Sequence, residues 1–181
     1  MLAKDILRDL RDGPVSRYTL RRAFPQAYIQ STVKFRGDVD RIRLGEHVTI
    51  AGPTVVIVSD GGGLTGARLE VGEHTYIGEF NNIRCAGAPI SIGAKCLISQ
   101  HITIVGTNHG IAAGTPIVDQ PWSGDGVVIG DDVWIGAGSV ILPGANLGSG
   151  CVVAANSVVR GDVSPGAIVA GNIAKVIGER R

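Results

Sequence analysis

Three of the four histidines, His47, His74 and His101, each stand three places after an aliphatic residue, at Leu44, Val71 and Ile98. Three neutral imidazoles and a water would complete the shell of a catalytic zinc. The fourth, His109, lies apart in Gly106-Thr107-Asn108-His109-Gly110-Ile111, where the surrounding sequence turns rich in glycine and proline. The cysteines Cys85, Cys96 and Cys151 show no CxxC spacing, and their odd number argues against a disulfide framework. No serine or cysteine stands in a recognisable nucleophile setting, so imidazole is the reactive group in view.

A six-residue period positions these side chains. Ile129, Ile135, Ile141, Leu147, Val153 and Val159 recur at that interval, usually followed by glycine or another small residue. A helix repeats its apolar face every 3.6 residues and a simple strand every two, so a strict six describes short strands joined by tight corners. Three hexads make one triangular coil of about 18 residues, which stacks Ile129 on Leu147 in a parallel β-helix. Upstream, Leu44, Ile50 and Val56 form one coil, Val71, Ile77 and Ile83 another, and Ile92, Ile98 and Ile104 a third. The fifth hexad position points inward near a corner and must be small. Thr75, Cys96, Val133, Ser139, Ala145, Cys151 and Ser157 occupy it, which makes Cys96 and Cys151 core fillers and leaves Cys85 open. His47 and His74 fall on one corner and His101 on another, which argues against a shared zinc.

Two breaks interrupt the repeat. One covers Val58 to Leu69 and contains Gly61, Gly62 and Gly63; the other covers 106–126 and contains Pro116, Pro121 and Trp122. Ordering such an excursion costs entropy that the solenoid does not require, so the longer one is read as functional. Before the repeat, Leu2, Ile6, Leu7 and Leu10 lie at helical spacing ahead of Asp12-Gly13-Pro14, which predicts an amphipathic helix over Leu2–Arg11 that covers an exposed coil end. The expected organisation is a helical cap and lead-in over 1–37, a β-helix over 38–177 and a charged tail over 178–181.

Composition fits one domain. The 181 residues include 27 glycines and only three phenylalanines, as suits a narrow prism filled by Ile, Val and Leu. Seventeen Lys and Arg against sixteen Asp and Glu give a formal charge of +1, with no basic run to suggest nucleic acid. Met1 to Leu10 lacks the apolar core of a signal peptide, so a cytoplasmic protein without membrane insertion is expected.

From about Leu44 onward the chain resembles the hexapeptide-repeat acyltransferases, most closely the branch of maltose, galactoside and polysaccharide O-acetyltransferases. The resemblance is carried in order by Val128-Ile129-Gly130-Asp131-Asp132-Val133-Trp134-Ile135-Gly136-Ala137-Gly138, by Ile141-Leu142-Pro143-Gly144, by Ala155-Asn156-Ser157-Val158-Val159 and by Val169-Ala170-Gly171-Asn172-Ile173-Ala174-Lys175. It implies an all-β, left-handed parallel β-helix; the left hand comes from the resemblance alone, because crossovers are right-handed by default. It implies acetyl-CoA as acyl donor, no required metal, a homotrimer with sites between subunits, and a sugar or glycan precursor as acceptor.

The same resemblance makes His109 the general base, which takes the proton of a sugar hydroxyl as it attacks the thioester, without an acyl-enzyme. Asn81, Asn82, Asn108 and Trp134 are implied as substrate-binding. Gly136, Ala137 and Ala155 are implied as small corner residues along the pantetheine arm, with Lys175 and Arg180 facing coenzyme A phosphates. Ile173 departs from the family's usual proline, and Arg160-Gly161 from its usual Thr-Lys pair. In the excursion, Asp119, Gln120 and Asp125 are available to acceptor hydroxyls.

Other functions remain in view. An N-acetyltransferase acting on a nucleotide-linked amino sugar or a xenobiotic would use the same base and groove. The γ-class carbonic anhydrases share the fold, but their paired histidines five residues apart are absent here. A non-enzymatic scaffold would show flat ranks of matched threonines, and these are missing.

Overall fold

The computed structural model describes Ile6, Leu7 and residues 9–181. The hexads become short strands that stack, all in parallel except the last, into three sheets, one of eight strands and two of six, with a separate two-stranded hairpin. The first face carries the inward column Ile29, Ile50, Ile77, Ile98, Ile135, Val153 and Val169. The second carries Phe35, Val56, Ile83, Ile104, Ile141 and Val159. The third carries Leu44, Val71, Ile92, Ile129, Leu147 and Val163, so Ile129 stacks on Leu147 as the period requires. These columns form one continuous buried core. Each fully buried aliphatic contributes roughly 1.5–3 kcal/mol relative to exposure.

The corners explain the small inward positions. Thr75, Cys96, Val133, Ser139, Ala145, Cys151 and Ser157 are all buried. Where they are polar they meet backbone that the turn leaves free: Thr75 Oγ1 donates to Gly93 O at 2.7 Å, and Ser139 Oγ to Ala154 O at 3.1 Å. The outer corner residue takes a left-handed conformation, as at His47, His74, Lys95, Asp132 and Asn156, with φ between 56° and 58°. The coil as a whole winds left-handed. Cys85 also faces the core, and burial pushes its thiol up to about 12 and that of Cys151 to about 11.

The N-terminal end departs from expectation. The helix expected over Leu2–Arg11 lies partly outside the described residues, and Asp12-Gly13-Pro14 does not end it. Ile6, Leu7, Asp9 and Leu10 are helical, a π turn spans Arg11–Val15, and α1 follows over Ser16–Ala23. The wider turn absorbs the missing proline N–H: Ser16 N–H reaches back five residues to Arg11 O, and Ser16 Oγ donates to the same carbonyl at 2.5 Å. Helix α1 covers the coil end, while Ile6, Leu7 and Leu10 of the preceding segment are exposed. The helix buries Leu20, donates from Arg17 Nη1 to Val33 O at 2.8 Å, and donates from Arg21 Nη2 to Ile29 O. The coil itself opens at Tyr28–Ile29 and Lys34–Gly37, ahead of residue 38. At the other end Ala174–Glu179 runs antiparallel to Ala167–Gly171, so regular structure continues past 177. No helix among the described residues is long and apolar enough to cross a membrane.

Candidate active site

Both excursions leave the prism at the corner between the second and third faces, from coils two turns apart. The longer begins after Thr103–Val105 and returns at Val127–Ile129, and its base is closed by Gly126 N–H donating to Gly106 O at 3.2 Å. Within it, Asn108–His109 pairs antiparallel with Trp122–Ser123, and Gly110 N–H donates to Pro121 O at 3.0 Å. Gln120 holds the tip together: its Oε1 accepts from Ala112 N–H at 2.7 Å, and its Nε2 donates to Ala112 O and Thr115 O at 3.0 and 2.7 Å. Gln120 is buried, so it serves the loop and not an acceptor hydroxyl, whereas Asp119 and Asp125 are exposed.

The hairpin is docked on the body through Trp122. Its N–H donates to Gly62 O at 2.8 Å, and its ring lies flat on Gly61 and Gly62. A Cβ at Gly62 would fall 2.0 Å from Trp122 Cγ, and Gly62 has φ of +58°. This contact accounts for the glycines of the shorter excursion. Gly62→Ala is expected to lift the indole and raise thermolysin cleavage at Ile111, Ile117 or Val118 roughly tenfold or more. An unchanged cleavage rate would mean that the hairpin is held some other way.

His109 is exposed on this hairpin, with its ring edge-on to Trp122 at 5.3 Å and 69°. No side-chain hydrogen bond occupies its imidazole among the described residues. Trp122 therefore restricts the ring by packing and leaves the nitrogens available. Asn108 is exposed beside it.

The second face, from which the hairpin departs, carries Asn82 and Arg84 outward on the strand Asn82–Ala86. Gly106 N–H donates to Arg84 O at 3.0 Å, which places Arg84 at the root of the excursion. Asn82 Oδ1 accepts from Arg84 Nε at 3.1 Å. Asn81 does something else. It is buried, donates from Nδ2 to Gly78 O and Ser99 O at 3.0 and 2.8 Å, and accepts at Oδ1 from Ile102 N–H at 2.6 Å. Every polar atom of its amide is engaged in joining coils, so the expectation that Asn81 binds substrate is corrected: the inward hexad position makes it a rung.

On the first face Trp134 is half exposed and donates from Nε1 to Ser99 Oγ at 3.2 Å. Gly136, Ala137 and Ala155 come together at the corner between the first and second faces. There a Cβ on Gly136 would sit 2.6 Å from Ala155 N, and Asn156 N–H donates to Ala137 O at 2.9 Å. Gly136 thus already has a packing reason to be glycine. Lys175 lies exposed opposite Ala170 on the terminal hairpin, toward the same corner. Arg180 does not join them. Five residues of extended chain, about 16 Å, carry it to the opposite corner, where Nη1 meets Asp132 Oδ2 at 2.7 Å. There it clamps neighbouring coils and lines a cleft with Lys95, Leu97, Trp134 and Val152.

The remaining histidines follow the corner assignment. His47 and His74 stack at 5.0 Å on one corner, while His101 stacks on Phe80 at 4.8 Å on another. Trp122, which docks the hairpin, and Arg84, at its root, are the neighbours of His109's loop that spacing did not single out. A tryptophan inside a glycine- and proline-rich excursion was the one available signal.

A family model described as bacterial transferase hexapeptide (six repeats) matches residues 126–161. Among solved structures the chain is similar to the polySia-specific acetyltransferase NeuO, at 25% identity over 85% of this chain and 61% of that one, with a TM-score of 0.63. It is also similar to a hexapeptide-repeat-containing acetyltransferase from Vibrio cholerae O1 biovar eltor complexed with acetyl coenzyme A, at 27% identity over 93% and 78%, TM-score 0.61. A maltose O-acetyltransferase from Clostridium difficile 630 shares the fold at 24% identity over 78% and 72%, TM-score 0.63. The chain spans less than two thirds of the NeuO chain. No curated protein matches it in sequence.

Proposed function

We propose that this chain, a hexapeptide-repeat acyltransferase by its repeat and its fold, transfers an acetyl group from acetyl coenzyme A to a hydroxyl of a sugar or glycan precursor. The observation that carries the reading is His109, exposed on a hairpin that Trp122 fastens to the body. A hydroxyl is a poor nucleophile at neutral pH, and a neutral imidazole within reach removes its proton as the oxygen meets the thioester carbonyl. The new C–O bond forms, the C–S bond breaks, and the imidazolium returns its proton to the departing thiolate. No protein nucleophile enters, and burial keeps Cys85, Cys96 and Cys151 protonated and out of reach.

Small corner residues Gly136, Ala137 and Ala155 let the pantetheine arm approach backbone, Lys175 offers a point charge to a phosphate, and Trp134 packs near the acyl group. Within one chain these lie on a different face from His109. A homotrimer, in which one subunit's hairpin meets the next subunit's first face, brings the two sets together and closes as a ring. A cytoplasmic location belongs to the same reading. The NeuO and maltose enzymes, named for acetylating sugars, support a hydroxyl acceptor.

Incubation with labelled acetyl coenzyme A and a panel of free sugars, sugar acids and nucleotide sugars tests the reading. The expected product is an alkali-labile ester formed with one equivalent of free thiol. An alkali-stable amide as sole product would move the enzyme to the N-acetyltransferases, and no transfer to any acceptor would reject it.

A further inference from the structure

The second face holds an open groove of about 500 Å³, lined by Arg36, Val55, Phe80, Asn82, Arg84 and His101 among others. None of its lining residues is acidic. Arg36 and Arg84 occupy the same outward column two strands apart, with Ile57 between them, so their Cα atoms are about 9.5 Å apart. Each guanidinium is steadied at Nε: Arg84 by Asn82 Oδ1 at 3.1 Å, Arg36 by Asp12 Oδ2 at 3.7 Å. That leaves the terminal nitrogens of both without a side-chain partner among the described residues. Asp12 is itself paired with Arg11 at 3.0 Å, so it does not cancel the charge of the groove. Lys34 adds a third cation on the outward side of the same strand as Arg36.

The groove's other edge is aromatic. Phe80 and His101 lie parallel, 3° apart in plane, and Phe80 is 55% exposed. Phe80 has φ of +59°, the left-handed conformation that this corner position also imposes on His47, His74, His101 and Asp132, so the backbone does not select an aromatic ring there. Nor does burial select it, since more than half of the residue is exposed. An exposed ring beside two guanidinium forks is what a sugar with an attached anion requires: a flat apolar surface for the C–H face, and bidentate donors for a carboxylate or phosphate. The base is within chain reach of the groove's Arg84 end: Gly106 N–H donates to Arg84 O, and His109 stands three positions further on, at most about 11 Å of chain.

We infer that the acceptor is anionic: its carboxylate or phosphate is bound by Arg84 and Arg36 while its sugar lies on Phe80, and a hydroxyl further along faces His109. The inference rests on the transferase reading above for the role of the bound molecule, though not for the binding itself. Two assays keep them apart. In the first, binding of glucuronate, glucose 1-phosphate and glucose is measured by titration calorimetry without acetyl coenzyme A. The charged probes should bind at least tenfold tighter than glucose, with the advantage lost in Arg84→Gln and reduced in Arg84→Lys, which keeps the charge but not the fork. In the second, the ratio of kcat/KM for charged to neutral acceptors should exceed tenfold and fall toward one in Arg84→Gln and Arg36→Gln. Whichever charged probe is preferred separates a sugar acid from a sugar phosphate. Charged binding that depends on Arg84 without any turnover would keep the groove and remove the transferase. Turnover with no charge preference, a preference that survives both substitutions, or no binding of either charged probe would overturn the anionic acceptor.

Discussion

Replacing His109 by alanine lowers kcat by about 10²- to 10⁴-fold, the usual worth of a positioned general base, and leaves the melting midpoint nearly unchanged. The second half follows from the structure: His109 is exposed on a hairpin outside the core, and its ring touches Trp122 rather than a buried partner. Base loss and misplacement are separable. In the alanine variant kcat should fall with the hairpin still docked and thermolysin cleavage unchanged, whereas Gly62→Ala, which unseats the hairpin, should weaken turnover together with raised cleavage. Wild-type turnover in His109→Ala, measured by thiol release with an accepted sugar, would reject the assignment.

The largest stability effect is expected at Asn81. Asn81→Leu keeps the branching and removes an amide that accepts from Ile102 N–H and donates to Ser99 O and Gly78 O inside the corner. Thr54 Oγ1 still serves Gly78 O, so Ser99 O and Ile102 N–H lose the most. A buried backbone group without a partner costs about 1–3 kcal/mol, which gives roughly 2–6 kcal/mol for the pair. For a chain of this size the melting midpoint should fall by about 5–15 °C. Asn82→Leu, one residue on and facing out, should change it little. An Asn81→Leu protein with a native midpoint and poor acceptor binding would return Asn81 to the substrate and refute the rung.

What the sequence revealed and what it hid divide along physical lines. Ile129 above Leu147, the small inward Ser139 and Ser157, and the shared corner of His47 and His74 all follow from a fixed period, because each coil repeats the last. The period is silent where the chain leaves it. Pro14 reads as a stop, yet a π turn carries the helix onward, since a widened turn does not need the lost donor. Tyr28–Ile29 and Lys34–Gly37 escaped as the first rungs because charged and polar residues surround Ile29 and Phe35. The contact of Trp122 with Gly61 and Gly62 joins two excursions some 60 positions apart, and neither one's composition names the other. The separation of Arg180 from Lys175 was hidden because nothing local announces that Ala174–Glu179 runs antiparallel to Ala167–Gly171.

The two ends of the prism also decide how copies can meet. Arg17 and Arg21 occupy carbonyls that a preceding coil would otherwise claim, and the reversed final strand breaks the parallel register that a following coil would need. Parallel stacking of a second copy's coils on these strands is therefore disfavoured, and flank-against-flank contact is the arrangement that the described ends favour.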